Sequence, residues 1–144
     1  MIQKLVILDC DGTIVDSQHM IVAAMEIAFG EAGLEAPARA NVLSVVGLSL
    51  PLAIERLLPD REKPLVQRIS DTYKSCFNDL RKRPDQREPL YPGMHEVIAA
   101  LSRRDDIILG IATGKSRRGV RELLEREGWT GLFSTIQTAD THPS

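Results

Sequence analysis

Hydrophobic residues form short, nearly continuous runs at two places in the chain. Lys4 to Cys10 reads KLVILDC, and residues 106–113 read DIILGIAT. Runs of this length, rich in aliphatic side chains, predict parallel strands that are covered on both faces. A third segment, Leu132 to Gln137, is more mixed in character and also predicts a strand. We therefore predict three strands, of which the first two end next to polar residues.

Between the first two runs, the apolar residues recur at helical spacing. A helix that begins at Asp16 or Ser17 would bury a stripe including Met20 and Ile27, and would end in a left-handed turn at Gly33. Val97 takes an inward position in a later helix. After the first helix, the predicted helices cover residues 38–46, 52–58, 64–83, 93–104, which contains Val97, and 116–127.

A proline-rich segment separates a helical block from renewed alternation of helices and strands. Residues 81–93 hold three prolines among mostly polar neighbours, which is typical of a linker. The order of elements predicts an α/β fold whose sheet is interrupted after its first strand by a helical domain. We place the α/β part at residues 1–15 and 86–144, and the inserted helical domain at residues 16–85.

Composition and charge narrow the class of protein. Hydrophobic residues make up 43% of the chain and the formal net charge is −2, with both signs scattered. This balance argues against nucleic acid or an anionic membrane as a partner. Cys10 and Cys76 are too few for a disulfide framework, and no run approaches the roughly 20 apolar residues of a membrane span. We expect a cytoplasmic protein.

Polar residues follow the first two strands. Asp9, Asp11 and Gly12 come after one, and Thr113 and Lys115 come after the other. Ligands of parallel sheets bind beyond the carboxyl ends of the strands, so these loops would face one crevice. Crowded carboxylates favour a hard cation such as Mg²⁺. One carboxylate could bind the ion and attack while the other protonates a leaving oxygen, and the hydroxyl and ammonium groups imply a phosphate ligand.

Each segment also has a simpler interpretation. A DxDG sequence after a strand often forms only a turn, and ATGK, residues 112–115, would serve as a loop that caps the helix starting near Ser116. A Walker phosphate loop is excluded, because the chain has no GxxxxGK motif. The combination of DxDGT, a helical insertion and a later strand ending in Thr113 is more specific than either segment.

These residues resemble the motifs of the haloacid-dehalogenase-like hydrolase superfamily, in its phosphoglycolate-phosphatase and β-phosphoglucomutase-like branch. Asp9 to Thr13 matches the first motif, DxDGT, and Thr113 matches the second. Asp11 favours phosphoryl chemistry, because the dehalogenase branch lacks an acid at this place. The resemblance covers essentially the whole chain and implies a Rossmann-like parallel sheet with an all-helical cap domain.

The resemblance implies a role for each matched residue. Asp9 would be the nucleophile that forms an aspartyl phosphate, and Asp11 the general acid that later activates water. The Asp9 carboxylate and the Asp11 backbone carbonyl would hold Mg²⁺. Gly12 would allow close approach of the ligand. The groups that would hold the phosphate of a small phosphorylated metabolite are Gly12, Thr113, Gly114 and Lys115.

The resemblance also extends into the helical block. VGLSLPL, residues 46–52, resembles the loop that such caps lower over the substrate. Gly47 and Ser49 would help to select the leaving group. A plain turn between two helices is the alternative.

The family pattern continues with a lysine and with aspartates that complete the metal site, and neither appears before Ser144. The resemblance therefore implies an N-terminal fragment with an incomplete sheet and little or no activity. The strand from Lys4 to Cys10 would present an unpaired edge, so either self-association through this edge or only marginal stability is expected. The alternative functions are a sugar phosphomutase of the same branch and a non-catalytic module that serves binding of Mg²⁺ or phosphate, or assembly.

Overall fold

The computed structural model describes residues 2–58, 62–83 and 88–141, so part of the predicted linker lies outside the described residues. A 3₁₀ turn, Ala139–Thr141, follows the last strand. In chain order the elements are β1 Lys4–Leu8, α1 Gln18–Glu31, α2 Arg39–Ser44, α3 Leu50–Leu57, α4 Lys63–Arg81, α5 Met94–Ser102, β2 Ile107–Ala112, α6 Arg117–Glu127 and β3 Thr135–Gln137. Every predicted helix and strand has a counterpart among them.

The chain divides into two compact units. One, the α/β unit, comprises Met1–Asp16 and Leu90–Ser144, and the other, the helical unit, comprises Ser17–Pro89. The two boundaries fall one and four residues after the predicted ones. Each unit has its own hydrophobic core.

The α/β unit is built on a parallel sheet with the strand order β1-β2-β3. Leu8 pairs with Ile111, so β1 and β2 end at the same edge of the sheet. The predicted α/β class with a parallel sheet is confirmed. The fully buried or nearly buried members of this core are Cys10, Ile14, Val15, Ile98, Leu109, Ile111, Val120, Leu123, Leu124, Trp129 and Phe133.

One face of β1 is exposed, which corrects the prediction that both faces are covered. Leu5 and Ile7 are 56% and 53% exposed, whereas Val6 and Leu8 pack against the core of the α/β unit. Successive side chains of a strand point to opposite faces. Right-handed crossovers place α5 and α6 on the same side of the sheet, so within the described residues they cover only one face.

Gly110 lies in the middle of β2, where the sheet leaves little room for a side chain. A Cβ atom at this position would lie 2.8 Å from the Thr135 Cγ2 atom and 3.6 Å from the Ile7 Cγ1 atom. Gly110→Ala is therefore expected to lower the free energy of unfolding by about 1–3 kcal/mol through overpacking. Urea unfolding measures this change through the fluorescence of Trp129, the one tryptophan of the chain.

The matched background for this test is Thr135→Ser, which removes the obstructing methyl group. In that background, Gly110→Ala should cost less than about 0.5 kcal/mol, because the two substitutions are coupled through one contact. An equal cost in both backgrounds would show that the Thr135 methyl group is not the obstacle.

The helical unit buries one side of each of its longer helices. At the end of α1 the Leu34 N–H donates to the Phe29 carbonyl at 2.9 Å, and Gly33 has a φ of 75°, as predicted for a left-handed helix end. The core of the unit contains Met20, Ile21, Val22, Ala24, Met25, Ala28, Phe29, Val42, Ile54, Leu58, Val66, Ile69, Phe77 and Leu80.

Two residues predicted to face inward are exposed instead. Ile27 in α1 is 40% exposed and Val97 in α5 is 48% exposed. Both lie at the border of the buried stripe, which in α5 is centred on the fully buried Ile98.

No helix in the described part of the chain combines the length and apolar character needed to cross a membrane.

Candidate active site

A tight turn follows β1 and is held by its own backbone. The Cys10 carbonyl accepts the N–H groups of Thr13, Ile14 and Val15 at 3.1, 2.8 and 3.1 Å. The Gly12 N–H donates to the Val15 carbonyl at 2.9 Å, and Gly12 has a φ of 81°, a conformation that favours glycine. Since Cys10, Ile14 and Val15 are fully buried, the turn is anchored in the core.

Asp9 lies between β1 and this turn and is half-buried. Its Oδ1 atom accepts the Cys10 N–H at 2.7 Å, which orients the carboxylate. Extending the β1–β2 register beyond Leu8 and Ile111 brings the residues after both strands together. In agreement with this register, the Thr113 side chain is close enough to the Cys10 thiol to lower its pKa, against the larger effect of burial. Asp9 and Thr113 therefore belong to the same end of the sheet.

Lys115 forms an ion pair with Asp11. The Lys115 Nζ atom lies 3.1 Å from the Asp11 Oδ1 atom, and the two side chains are only 5% and 17% exposed. The sequence predicted that Lys115 would contact phosphate, and it gave no indication of this pair, whose members are 104 residues apart. The two strand-end loops are thus joined by a largely buried electrostatic contact.

The loop after β2 is fixed on its other side by the end of β3. The Thr113 N–H donates to the Gln137 carbonyl at 3.0 Å, and the Ala139 N–H donates to the Lys115 carbonyl at 3.4 Å. Within the loop, the Lys115 N–H donates to the Thr113 hydroxyl oxygen at 3.1 Å. Gly114 lies between them and is half-buried.

Asp140 ties the turn after β3 to the start of α6. Its Oδ1 atom accepts the Arg117 N–H at 3.0 Å and the Thr138 hydroxyl at 2.6 Å. The Ser116 hydroxyl accepts the Gly119 N–H at 3.2 Å, so two side chains cap the same helix. The hydrogen bond from Thr138, together with that from the Arg117 amide, lowers the pKa of Asp140.

Asp140→Ala is expected to lower the free energy of unfolding by about 1 kcal/mol at neutral pH, as loss of a helix cap does. The pKa in the folded protein lies below the ordinary value of 3.8. The carboxylate therefore stabilises the fold above that pH, and its contribution disappears as the pH falls through the lowered pKa. Urea unfolding at neutral and acidic pH, followed through Trp129, measures both effects.

The control for this change is Asp105→Ala, at an exposed position before β2. It should alter the free energy of unfolding by less than about 0.5 kcal/mol. The Asp140→Ala variant and the unsubstituted chain should differ less in their free energy of unfolding as the pH falls below 3.8. A difference that stayed constant would contradict the assigned role of the carboxylate.

The Cys10 thiol is not a candidate nucleophile. Burial raises its pKa to about 12, and the neighbouring carboxylates of Asp11 and Asp9 contribute to the increase, against the opposing effect of Lys115. A thiol with this pKa stays protonated at neutral pH. Cys10 therefore serves as a core residue beneath the turn.

Gly47 and Ser49 lie in the helical unit, between α2 and α3. Gly47 has a φ of 99°, and the Ser49 carbonyl accepts the Ala53 N–H at 2.9 Å in the first turn of α3. These features account for a turn between helices, the simpler of the two interpretations. Their role in selecting a leaving group stays a prediction.

The residues after β1 suit a magnesium ion. Mg²⁺ in proteins is commonly held by one or two carboxylates, with water and substrate phosphate oxygens completing the shell. The half-buried Asp9 carboxylate and the adjacent Asp11 supply such oxygens at the end of the sheet. Within the described ranges, no three His, Cys, Asp or Glu side chains cluster into a fuller metal site.

Comparison with known proteins places the chain in a family. Residues 6–144 match the haloacid dehalogenase-like hydrolase family, and the chain belongs to it. It is 31% identical over 142 residues to a phosphoglycolate phosphatase of Agrobacterium fabrum, covering 97% of the chain and 60% of that protein. It is 28% identical over 134 residues to a phosphoglycolate phosphatase of Synechococcus elongatus, covering 92% and 59%. The chain thus spans about 60% of the length of these relatives.

Solved structures show the same fold. A crystal structure from Haemophilus somnus, described as a predicted phosphoglycolate phosphatase, superimposes with a TM-score of 0.83 at 20% sequence identity. The match covers 99% of this chain and 65% of that one.

Proposed function

We propose that this chain carries the reacting carboxylates of a phosphatase that hydrolyses a small phosphorylated metabolite through an aspartyl phosphate on Asp9. The observation that supports this proposal best is the meeting of two strand-end loops at one edge of the sheet. One loop brings Asp9 and Asp11, and the other brings Thr113 and Lys115, which pairs with Asp11. Paired carboxylates next to a hydroxyl and a cation suit phosphoryl transfer, which depends on positioning and charge stabilisation.

The proposed reaction has two steps. In the first, an Asp9 carboxylate oxygen forms a bond to phosphorus while the bond to the ester oxygen breaks, and Asp11 donates a proton to that oxygen. In the second, a water oxygen attacks phosphorus, Asp11 accepts a proton from the water, and the bond to Asp9 breaks. The products are an alcohol and inorganic phosphate.

The transferring phosphoryl group would be held by the loops around Asp9. We assign this contact to the Gly12 backbone, the Thr113 hydroxyl and the Gly114 amide. Lys115, which the sequence also predicted to bind phosphate, forms the ion pair with Asp11. A Mg²⁺ ion held by the Asp9 carboxylate and the Asp11 backbone carbonyl would neutralise charge on the phosphate oxygens.

Phosphoglycolate is the first substrate to test, because both relatives described above are named for its hydrolysis. The selection of the leaving group is assigned to Gly47 and Ser49 of the helical unit. A cytoplasmic site of action belongs to the same proposal, supported by Cys10 and Cys76 being free thiols rather than a disulfide.

A phosphate-release assay with phosphoglycolate, sugar phosphates and p-nitrophenyl phosphate tests the function. It is run on the 144-residue chain and on a chimera that adds the part of the Agrobacterium fabrum relative that the chain does not cover. Magnesium-dependent phosphate release supports the proposal. Conversion of a sugar phosphate to its isomer with little free phosphate indicates a phosphomutase, and ligand binding without turnover in either protein indicates a non-catalytic module.

The 144-residue chain is also expected to self-associate through β1. Within the described residues β1 pairs only with β2, and its exposed Leu5 and Ile7 adjoin the unpaired edge. An apolar strand edge of this kind recruits further strands. We expect size-exclusion chromatography with light scattering to give at least the mass of a dimer at micromolar concentration.

Ile7→Lys should shift this equilibrium toward monomer, because a charged side chain on an edge strand opposes pairing. The matched control is Val97→Lys on α5, where the valine is similarly exposed at 48%. A monomeric unsubstituted chain at every concentration would rule out the edge interaction.

A further inference from the structure

The contact between Lys115 and Asp11 gives Lys115 a more specific role than phosphate binding. Its Nζ atom lies 3.1 Å from the Asp11 Oδ1 atom, and only 5% of the Lys115 side chain is exposed. We propose that Lys115 is a positioning residue that holds the Asp11 carboxylate in the orientation needed for proton transfer. This role rests on the proposed phosphatase function.

Both ends of the ion pair start from fixed backbone. The Lys115 N–H donates to the Thr113 hydroxyl oxygen, and its carbonyl accepts the Ala139 N–H, immediately before the capped start of α6. On the other side, residue 11 forms an isolated bridge with Val15 in the turn after β1. The lysine side chain therefore spans two loops whose positions do not depend on the ion pair alone.

The direction of the Asp11 carboxylate decides whether it can reach the leaving oxygen. An aspartate side chain has two rotatable bonds, and a contact at Oδ1 selects one arrangement of both. The second carboxylate oxygen then has a defined direction. A positioned group that transfers a proton typically contributes about 10²- to 10⁴-fold to rate, and this contribution requires hydrogen-bond reach to the proton.

The dependence on the leaving group distinguishes positioning of Asp11 from binding of phosphate. A poor leaving group needs a proton, as does the glycolate alkoxide that phosphoglycolate releases. The p-nitrophenolate ion, in contrast, leaves without one. Lys115→Met should therefore lower kcat for phosphoglycolate by about 10²-fold, with KM nearly unchanged. For p-nitrophenyl phosphate, the rate constant of the first step should change by less than about fivefold. A single-turnover measurement of p-nitrophenol release isolates that step.

A double-mutant cycle supplies the second criterion. If Lys115 acts through Asp11, adding Lys115→Met to Asp11→Asn should cause no further loss of kcat for phosphoglycolate. The double variant removes both charges of this ion pair together, so it stays informative if Lys115→Met alone unfolds. Lys115→Arg keeps the charge and should retain more activity than Lys115→Met. Lys74→Met, on the exposed side of α4, is the matched control and should leave kcat unchanged.

The experiment uses whichever of the two proteins, the chain or the chimera, turns over more rapidly. The positioning role would be overturned if the losses of kcat from Lys115→Met and Asp11→Asn multiplied in the double variant, or if KM rose equally for both substrates. Either result would show that Lys115 acts on the phosphate, and the phosphatase proposal would still stand. If neither protein without substitutions releases phosphate from any substrate, the phosphatase proposal itself fails, and the role of Lys115 falls with it.

Discussion

Replacing Asp9 with Asn is expected to lower phosphate release by about 10⁴-fold or more, the order of loss seen when an enzyme loses its nucleophile. The amide has the shape of the carboxylate but cannot form a stable acyl phosphate, so the covalent step is lost. The fold should persist, because the amide oxygen can still accept the Cys10 N–H that now reaches Oδ1 at 2.7 Å. The measurement is initial-rate phosphate release at saturating phosphoglycolate, with unfolding followed through Trp129.

The matched control is Asp105→Asn, which makes the same chemical change at an exposed position of the same unit. It should leave both the rate and the free energy of unfolding unchanged. Retention of more than about one hundredth of the rate in the Asp9→Asn variant would assign the nucleophile to another residue, given the size of the loss expected.

The sheet and its helices could be predicted because the relevant information is local. Continuous aliphatic runs marked β1 and β2, and helical spacing marked the helices on either side. The meeting of their two loops followed from a general property of parallel strands, whose carboxyl ends share one edge. The structure agrees, since Leu8 pairs with Ile111.

Coverage of a surface could not be predicted from the same patterns. Leu5 and Ile7 have the apolar character of buried strand residues, yet α5 and α6 lie on the other side of the sheet. Ile27 and Val97 lie at the borders of their helical stripes, where exposure depends on which neighbouring element packs against the helix. Side-chain periodicity identifies the type of element, whereas burial at its margins depends on tertiary packing.

The ion pair between Asp11 and Lys115 was beyond prediction for a different reason. Its members are 104 residues apart, and their contact depends on the conformations of two loops rather than on any repeat in the sequence. The same holds for Asp140, which caps α6 from the turn after β3. Both contacts require the strand pairing to be in place before the side chains can meet.

Asp11→Asn is expected to lower kcat for phosphoglycolate by about 10²- to 10⁴-fold, because the amide can neither donate the proton needed by the alkoxide nor accept one from water. With p-nitrophenyl phosphate, the first step needs no proton and should proceed at a rate within about tenfold of the unsubstituted enzyme. The second step still needs a base. The aspartyl phosphate on Asp9 should therefore accumulate in this variant.

Rapid mixing with p-nitrophenyl phosphate tests this expectation directly. The Asp11→Asn variant should release a burst of p-nitrophenol approaching one equivalent of enzyme, followed by a much slower steady rate. Acid quenching and intact-mass analysis should find one added phosphoryl group, absent from an Asp9→Asn/Asp11→Asn double variant. A slow steady rate without a burst would mean that Asp11 acts mainly in the first step. If the Asp11→Asn variant turned over both substrates at the unsubstituted rate, Asp11 would have no role in proton transfer.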